Sequence, residues 1–168
     1  SDTIIAVSVA IVCMLIYIRI RFSDIRFGIS SIIALLHDVL IVLAFYAVAR
    51  VSVSNTFVAC MLTIVGYSIN ATIVIFDRIR ENMAAMTRKE DLKDVVNKSI
   101  TQTMSRSIFT SLTTFIMVAV LYVLGVTSIR DFALPLMVGI VCGTYSSICL
   151  AGSLWYVFRM KFAPKKAE

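Results

Sequence analysis

Charged residues are scarce in this sequence: they make up 15% of the 168 residues, whereas hydrophobic residues make up 60%. Soluble globular chains average roughly 25% charged and 45–50% apolar residues, so the composition excludes an ordinary soluble domain. The apolar residues also occur in runs of about the 20 residues that a membrane-spanning helix needs. The composition therefore predicts an all-α integral membrane protein in which residues 1–168 form one membrane domain.

Other scarcities narrow the chemistry. One histidine and no CxxC spacing argue against a zinc site, and two prolines and six glycines leave little chain for flexible linkers. The sequence has no GxSxG elbow, Walker loop or Gly-rich phosphate loop. The only histidine is adjacent to Asp38, and neighbouring helical positions point in different directions, so no ready catalytic dyad is expected. We predict no enzyme activity, no cofactor and no metal, and we interpret four cysteines as small buried hydrophobic residues: Cys13, Cys60, Cys142 and Cys149.

Five apolar segments are predicted to cross the membrane as helices, at about 3–20, 27–49, 55–76, 107–124 and 131–158. Between the third and fourth, Thr87 and Glu90 have the spacing of a capping box, and apolar residues follow at helical spacing. This pattern predicts a short amphipathic helix over about 88–103 that lies along the membrane surface. A solvated helix that packs on nothing is the alternative.

Basic residues predict the orientation in the membrane. Fourteen of the 16 Lys and Arg residues lie in the 19–26 link, the 77–106 region and the tail from 159, which five spans place on one side. Only Arg50 and Arg130 lie on the other side. The positive-inside rule then predicts a cytoplasmic C-terminus and an N-terminus of this chain outside. Topology thus explains most of the net charge of +6, and no nucleic-acid partner is expected. A chain that begins outside without a signal is also expected to lack a preceding span, which would make the natural number six.

His37 and Asp38 are predicted to lie deep in the membrane. They are about ten residues into the second predicted helix, or about 15 Å from its cytoplasmic end at the helical rise. Ionisable side chains at that depth are costly and mark a pathway or a bonded partner. A pair that is satisfied locally by a neighbouring helix is the alternative.

Three further polar or small-residue features lie in or beside the spans. Asn70 needs a hydrogen-bond partner in hydrocarbon, either as a ligand or as a contact between helices. Arg106 precedes the fourth span and would reach the level of Asn70 and Ala71 if that helix begins near Ser99; otherwise it extends to the lipid headgroups. Gly139 and Gly143 form a small-residue face suited to close helix packing.

Six sequence blocks occur in a characteristic order: YIRIRF at 17–22, ALLHDV at 34–39, GYSIN at 66–70, FDRIREN at 76–82, SITQTMSR at 99–106 and GIVCGTYSS at 139–147. Through these blocks, nearly the whole chain resembles the SecF family of the bacterial SecD–SecF protein-export complex, relatives of the proton-driven RND transporters. The most specific blocks are the third and fourth, which include Gly66, Tyr67, Ser68, Asp77, Arg78, Arg80, Glu81 and Asn82.

The resemblance implies five helices of an RND-type six-helix bundle, without the first helix and the extracytoplasmic domain of the family. It also implies an accessory subunit in the bacterial cytoplasmic (inner) membrane. That subunit would use the proton-motive force together with SecD to promote protein export. The implied partners are SecD, a SecYEG-type translocase, the translocating polypeptide and the lipid bilayer.

The resemblance also marks a proton pathway. In the family an Asp normally follows the Asn of GYSIN, and an Arg that matches Arg106 is implicated with it. Ala71 stands at that position here and cannot bind a proton. Either residue 71 has been changed to trap or test a state, or His37, Asp38 or an acid of SecD takes over the role. The alternatives are a passive structural subunit without proton coupling and another RND-type transporter, although the FDRIREN and SITQTMSR blocks argue against the latter.

Overall fold

A computed structural model describes residues 2–21 and 25–162, and in these residues the chain forms helices and no strand. Five helical stretches are long and apolar enough to cross a membrane. The last stretch consists of two α-helices joined through a π-helical segment, Ser146–Ala151. The α-helices are α1 (Asp2–Arg21), α2 (Ile25–Ala49), α3 (Asn55–Ala84), α4 (Leu92–Leu124), α5 (Thr127–Tyr145) and α6 (Gly152–Lys161). The predicted all-α integral membrane fold is confirmed.

The region between the third and fourth spans differs from the prediction. No separate surface helix forms over 88–103, because 92–103 are the first turns of α4, which continues to Leu124 without a break. Asp91 caps this helix by accepting a hydrogen bond from the backbone N–H of Lys93, at 3.5 Å. The apolar residues of this region were predicted to face the membrane surface. They pack inside the protein instead: Val96 belongs to a core cluster with Ile79 and Trp155.

α3 lies at the centre of the bundle, and α1 and α4 lie at its edge. In the most apolar 18-residue stretch of α3, 44% of the residues are buried within the protein, whereas the share is 6% in the corresponding stretches of α1 and α4. In a membrane, lipid covers an apolar side chain as well as protein does. A cysteine in an apolar span therefore need not be buried within the protein. The prediction of four buried thiols is wrong for two of them: Cys60 is buried and Cys142 half-buried, but Cys13 and Cys149 are exposed on the surface of the bundle.

The basic link, the end of α3 and the end of α6 meet at one end of the bundle. Arg21 forms an ion pair with Asp77, at 3.0 Å, and Arg80 donates to the backbone oxygen of Arg21, at 3.2 Å. Arg26 donates to the backbone oxygen of Arg159, at 3.5 Å. We call this the charged end; Lys165 and Lys166 of the predicted basic tail lie outside the described residues.

The FDRIREN block extends α3 beyond the predicted span and docks the first turns of α4. Arg78 donates to the Gln102 side chain at 2.8 Å, and Asn82 donates to Ser99 at 2.8 Å and to Gln102 at 2.9 Å. Glu81 forms an ion pair with Arg78, at 3.0 Å. These contacts hold α4 against α3 and thereby set the height of Arg106 in the bundle.

Candidate functional site

α3 carries polar side chains on two faces. Ser68 and Thr72 are four residues apart, so they share one face, and both are buried among contacts with α2 and the π-helical segment. Asn70 and Ala71 line a cavity against α4. The single helix therefore contributes to two separate polar sites.

The first site is built around Asp38, whose side chain is fully buried. Its Oδ2 accepts hydrogen bonds from Ser68 Oγ, at 2.5 Å, and from Ser146 Oγ, at 2.8 Å. Its Oδ1 lies 3.2 Å from Nδ1 of His37, a side chain that is 34% exposed. We call Asp38, Ser68 and Ser146 the Asp38 site. It joins α2, α3 and the π-helical segment, and its hydroxyls supply the partners that a carboxyl group at this depth requires.

His37 and Asp38 do contact each other, contrary to the argument from their adjacent positions. The imidazole Nδ1 lies close to the main chain and can reach the carboxylate of the next residue. Ser68 and Ser146 nevertheless donate hydrogen bonds to Asp38 and not to His37. A hydrolytic triad needs the hydroxyl on the histidine, so this arrangement is not one.

The π-helical segment begins at the Asp38 site. Such segments occur mainly as single turns within α-helices, and often at functional sites. Ser147 Oγ donates to the backbone oxygen of Gly143, at 2.6 Å, and lies 3.3 Å from Thr72 Oγ1. Ser146 and Ser147 end the GIVCGTYSS block, and their role as polar partners was not predicted from the sequence. Two consecutive serines opposite a buried acid were the available signal.

The second site is a small cavity between α3 and α4, of about 30 Å³, which is enough for about one water molecule. We call it the α3–α4 pocket. It brings together three of the predicted pathway residues because α4 begins at Leu92, so that Arg106 lies well inside the helix. Its lining consists of Tyr67, Asn70, Ala71, Val74, Arg106, Ser107, Thr110 and Ser111.

Arg106 is exposed and has no ion pair or hydrogen bond among residues 2–21 and 25–162, and Asn70 is exposed beside it. On the side of the charged end, the pocket adjoins a groove of about 470 Å³, to which Val74 and Arg106 also belong. We call it the charged groove; its other lining residues are Asp77, Arg78, Glu81, Gln102 and Thr103. Arg106 thus lines both cavities.

At its far end the pocket is bounded by hydroxyl groups. Ser111 Oγ lies 2.5 Å from the Tyr67 hydroxyl and 2.5 Å from Thr144 Oγ1, which in turn lies 2.8 Å from the backbone oxygen of Ile140. The three side chains come from α3, α4 and α5. They tie the pocket to the central helices.

The two glycines of the predicted packing face are buried in α5 and differ in their clearance from α3. A Cβ on Gly139 would lie 2.5 Å from side-chain carbons of Ile64, whereas one on Gly143 would lie 3.5 Å from the ring of Tyr67. The close approach of α5 to α3 therefore depends on the absence of a side chain at Gly139, and less on its absence at Gly143.

The two polar sites are separate. Within the part of the chain that the structure describes, no hydrogen bond or ion pair connects Asp38 or His37 to Arg106. Nor does any group of three or more His, Cys, Asp or Glu side chains in this part have a geometry that could hold a metal ion.

A bundle of membrane-length helices with polar sites between them defines a multi-pass membrane protein, and comparisons with known proteins identify its family. The family model described as protein export membrane protein SecD/SecF, C-terminal, matches residues 1–161. The chain belongs to this family, as the sequence motifs predicted.

Two curated relatives are SecF subunits of a protein translocase. That of Alicyclobacillus acidocaldarius is 52% identical over 162 residues, which cover 95% of this chain and 52% of the relative. That of Sebaldella termitidis is 46% identical over 163 residues, covering 97% and 53%. The chain therefore spans about half the length of these relatives.

The crystal structure of SecDF from Thermus thermophilus, described as a translocon-associated membrane protein, has the same fold. It superposes with a TM-score of 0.90 and 44% identity, covering 95% of this chain and 22% of that one. Together with the apolar helices, these relatives establish a multi-pass bacterial membrane protein.

Proposed function

We propose that this chain is the membrane part of a SecF-type subunit, which acts with SecD on a SecYEG-type translocase in the bacterial cytoplasmic membrane. The subunit uses the proton-motive force to promote export of the translocating polypeptide and has no enzyme activity of its own. Membership of the SecD/SecF family and the names of the relatives support the link to protein export.

The charged end faces the cytoplasm in this proposal. Arg21, Arg26, Arg80 and Arg159 meet there, and the positive-inside rule assigns such an end to the cytoplasm. The C-terminus is then cytoplasmic, and the N-terminus of this chain is outside.

The observation that carries the proposal is that residue 71 and Arg106 line the same pocket. A carboxylate at position 71 would face the guanidinium across a space for about one water. Protonation of such an acid replaces a salt bridge by a neutral carboxyl group, and this change in charge can bias the packing of two helices. The family role of an acid at position 71 thus has a geometric basis.

Ala71 removes that acid from this chain and leaves Arg106 without an acidic partner among the described residues. Asp38 is fully buried beside a different face of α3, where hydroxyl groups already bond to it. An acid of SecD that faces the exposed side of the pocket is therefore the better-placed partner for Arg106, and Asp38 and His37 remain the alternative within this chain.

The proposal is tested by transport in membrane vesicles that lack the native subunit and receive the full-length protein. We would measure completion of export of a secretory protein, with and without a protonophore, while ATP-driven work by SecA is held constant. The variants are Ala71→Asp and, as its matched non-titrating control, Ala71→Asn.

Stimulation that depends on the gradient and occurs only with Ala71→Asp would identify position 71 as the coupling site. Equal gradient-dependent stimulation by all three forms would move the proton site elsewhere, with Asp38 tested next.

A passive structural subunit is the second candidate, and the observation that favours it is Ala71 itself, which cannot titrate. This function predicts that all three forms bind the translocase and that none stimulates export in a gradient-dependent way. Binding without stimulation would therefore replace the first proposal by the second.

A further inference from the structure

A groove of about 550 Å³ lies on the surface of the bundle between 15–20 of α1 and 25–32 of α2. We call it the α1–α2 groove. Its volume is within the range of about 300–1,000 Å³ that small-molecule sites have in proteins. Seven of its nine described lining residues are Leu or Ile, and the other two are Gly28 and Arg19. A ligand of this groove would therefore be mainly apolar and would meet one cation among these residues.

The floor of the groove is open because α2 has a glycine there. Gly28 is buried, and a Cβ at this position would come no closer than 4.0 Å to Ile18 of α1. The walls that α2 adds on either side recur at helical spacing: Ile25, Ile29 and Ile32. The missing side chain thus leaves a space between two helices that are otherwise lined by stiff, branched side chains.

Arg19 lies near the end of the groove that adjoins the charged end. It is exposed and makes no ion pair or hydrogen bond with a residue that the structure describes. Arg21 is two residues further along α1, so it faces a different side of the helix, and there it pairs with Asp77, at 3.0 Å. The bundle thus uses the second arginine of this turn and leaves the first beside the apolar groove.

The groove has about the depth of one leaflet of a bilayer. Its lining on α2 covers 25–32, a rise of about 10 Å along the helix, and it begins beside the charged end, where Arg26 contacts Arg159. The hydrocarbon region of one leaflet is about 15 Å deep, half of the total of about 30 Å. A membrane-spanning helix of a partner would need a contact face across both leaflets, whereas an acyl chain needs one in a single leaflet.

We propose that the α1–α2 groove binds an anionic phospholipid, with an acyl chain along its Ile and Leu side chains and the phosphate group on the guanidinium of Arg19. The planar guanidinium matches phosphate oxygens bidentately, and basic pockets between transmembrane helices bind anionic headgroups. The chain would fill space beside α1, in which only 6% of the most apolar stretch is buried within the protein. Assignment to the cytoplasmic leaflet rests on the orientation proposed above, but binding of the lipid does not.

The experiment measures photo-crosslinking of lipid to the full-length protein in vesicles of phosphatidylethanolamine, with phosphatidylglycerol as the minor component. A trace of phosphatidylglycerol carries a diazirine in one acyl chain, and a parallel sample has the same diazirine on phosphatidylethanolamine. Labelled residues are mapped by mass spectrometry after illumination. Labelling of 15–32 is divided by labelling of 36–43, the next stretch of α2, where three leucines are exposed: Leu36, Leu40 and Leu43.

We expect the phosphatidylglycerol probe to label the groove about fivefold more than the phosphatidylethanolamine probe, which is the preference that one basic residue gives for an anionic surface. Arg19→Gln should abolish this preference, because Gln retains a polar side chain without the charge. Arg88→Gln is the matched control: Arg88 is exposed in the link between α3 and α4, does not line the groove, and should leave the preference unchanged.

Gly28→Leu tests the acyl-chain part of the site. Its side chain would enter the open space of the groove and should lower labelling by both probes. Ile29→Phe is a second variant with the same expected result, because Ile29 is 42% exposed and a larger side chain there narrows the groove without a change in the core. Gel filtration of each variant checks that it is folded.

Four results would overturn the inference. Equal labelling of the groove by both probes, or an unchanged preference in Arg19→Gln, would remove the anionic headgroup from Arg19. Loss of the preference in Arg88→Gln as well would mean that the total charge of this end attracts the lipid. Unchanged labelling in both Gly28→Leu and Ile29→Phe would place the acyl chain elsewhere, and absence of groove labelling by either probe would show that a protein segment covers it. Export is not measured, so these results are independent of the proposed function.

Discussion

The Asp38 site and the α3–α4 pocket both contain an ionisable side chain beside α3, but the surroundings of the two side chains are opposite. Asp38 is fully buried, and two hydroxyl groups from α3 and the π-helical segment bond to it. Arg106 is exposed beside Asn70 and makes no ion pair with any of the residues that the structure describes. The first site is complete within the chain, and the second is not.

This difference separates stability from function. A carboxyl group that joins three elements of the same chain holds those elements together, and its loss should destabilise them. A cation on an open groove contributes little to the fold and is available to another group, whether water or an acid of a partner subunit. Arg106 is accordingly the residue that we connect with coupling, and Asp38 is the residue that we connect with the architecture.

The largest expected effect comes from removing the acid of the closed site. Asp38→Ala removes the acceptor of Ser68, and an unsatisfied buried group costs about 1–3 kcal/mol; Ser146 keeps the backbone oxygen of Gly143, at 3.2 Å. The space left by the fully buried Asp38 side chain adds to this cost. We therefore expect a loss of about 2–3 kcal/mol in the free energy of unfolding, measured in mixed detergent micelles on the full-length protein.

Arg106→Ala is the matched comparison for the open site and should leave the same free energy of unfolding nearly unchanged. A similar loss in both variants would contradict the contrast between a closed and an open site.

A smaller effect is expected at the closed α3–α5 interface. A Cβ at Gly139 would lie 2.5 Å from Ile64 carbons, and such overpacking costs about 1–3 kcal/mol. Gly139→Ala should therefore destabilise the protein in the same unfolding measurement. In an Ile64→Val background, which lacks the Cδ1 atom that the new Cβ would meet, the additional loss from Gly139→Ala should be smaller.

Gly143→Ala is the control for this interface, since its Cβ would make only an ordinary contact with Tyr67, at 3.5 Å. Equal destabilisation by Ala at both glycines would show that helix propensity or general crowding, and not the contact with Ile64, sets the effect.

The smallest of these effects is expected for a single hydroxyl of the closed site. Ser146→Ala removes one hydrogen bond to Asp38 while Ser68 retains the other, and a buried hydrogen bond contributes about 1 kcal/mol or less in a membrane protein. Ser153→Ala, on an exposed position of α6, is the control and should have no measurable effect. A loss at Ser146 as large as that of Asp38→Ala would mean that the carboxylate depends on this hydroxyl alone.

Much of the fold could be predicted because its signals are local. Long apolar runs, set apart by short polar links, mark the five spans, and the structure has a long helical stretch at each. The boundary between the third and fourth spans could not be read in this way. Val95 and Val96 follow the same periodicity whether they face lipid or protein, and only their burial against the rest of the bundle decides between the two.

The polar sites were likewise predictable only in part: the residues could be selected from the sequence, but their partners could not. Polar residues at depth are visible in any apolar helix, which is how Asp38 and Asn70 could be selected. Which partner each one meets depends on rotations and offsets between helices that are far apart in the chain. The bond between Ser146 and Asp38 spans more than a hundred positions in the sequence, and no local pattern encodes it.

The sequence by itself determined the membrane class, the number of described spans, the clustering of basic residues at one end and the family, because composition, periodicity and motif order are properties of single segments. Only the tertiary structure decided that Asp38 is enclosed while Arg106 is exposed, and that residue 71 and Arg106 line the same pocket. These are consequences of how α3 packs against two neighbours at once. The side chains of one helix are assigned to different partners by its rotation in the bundle, which depends on all the contacts together.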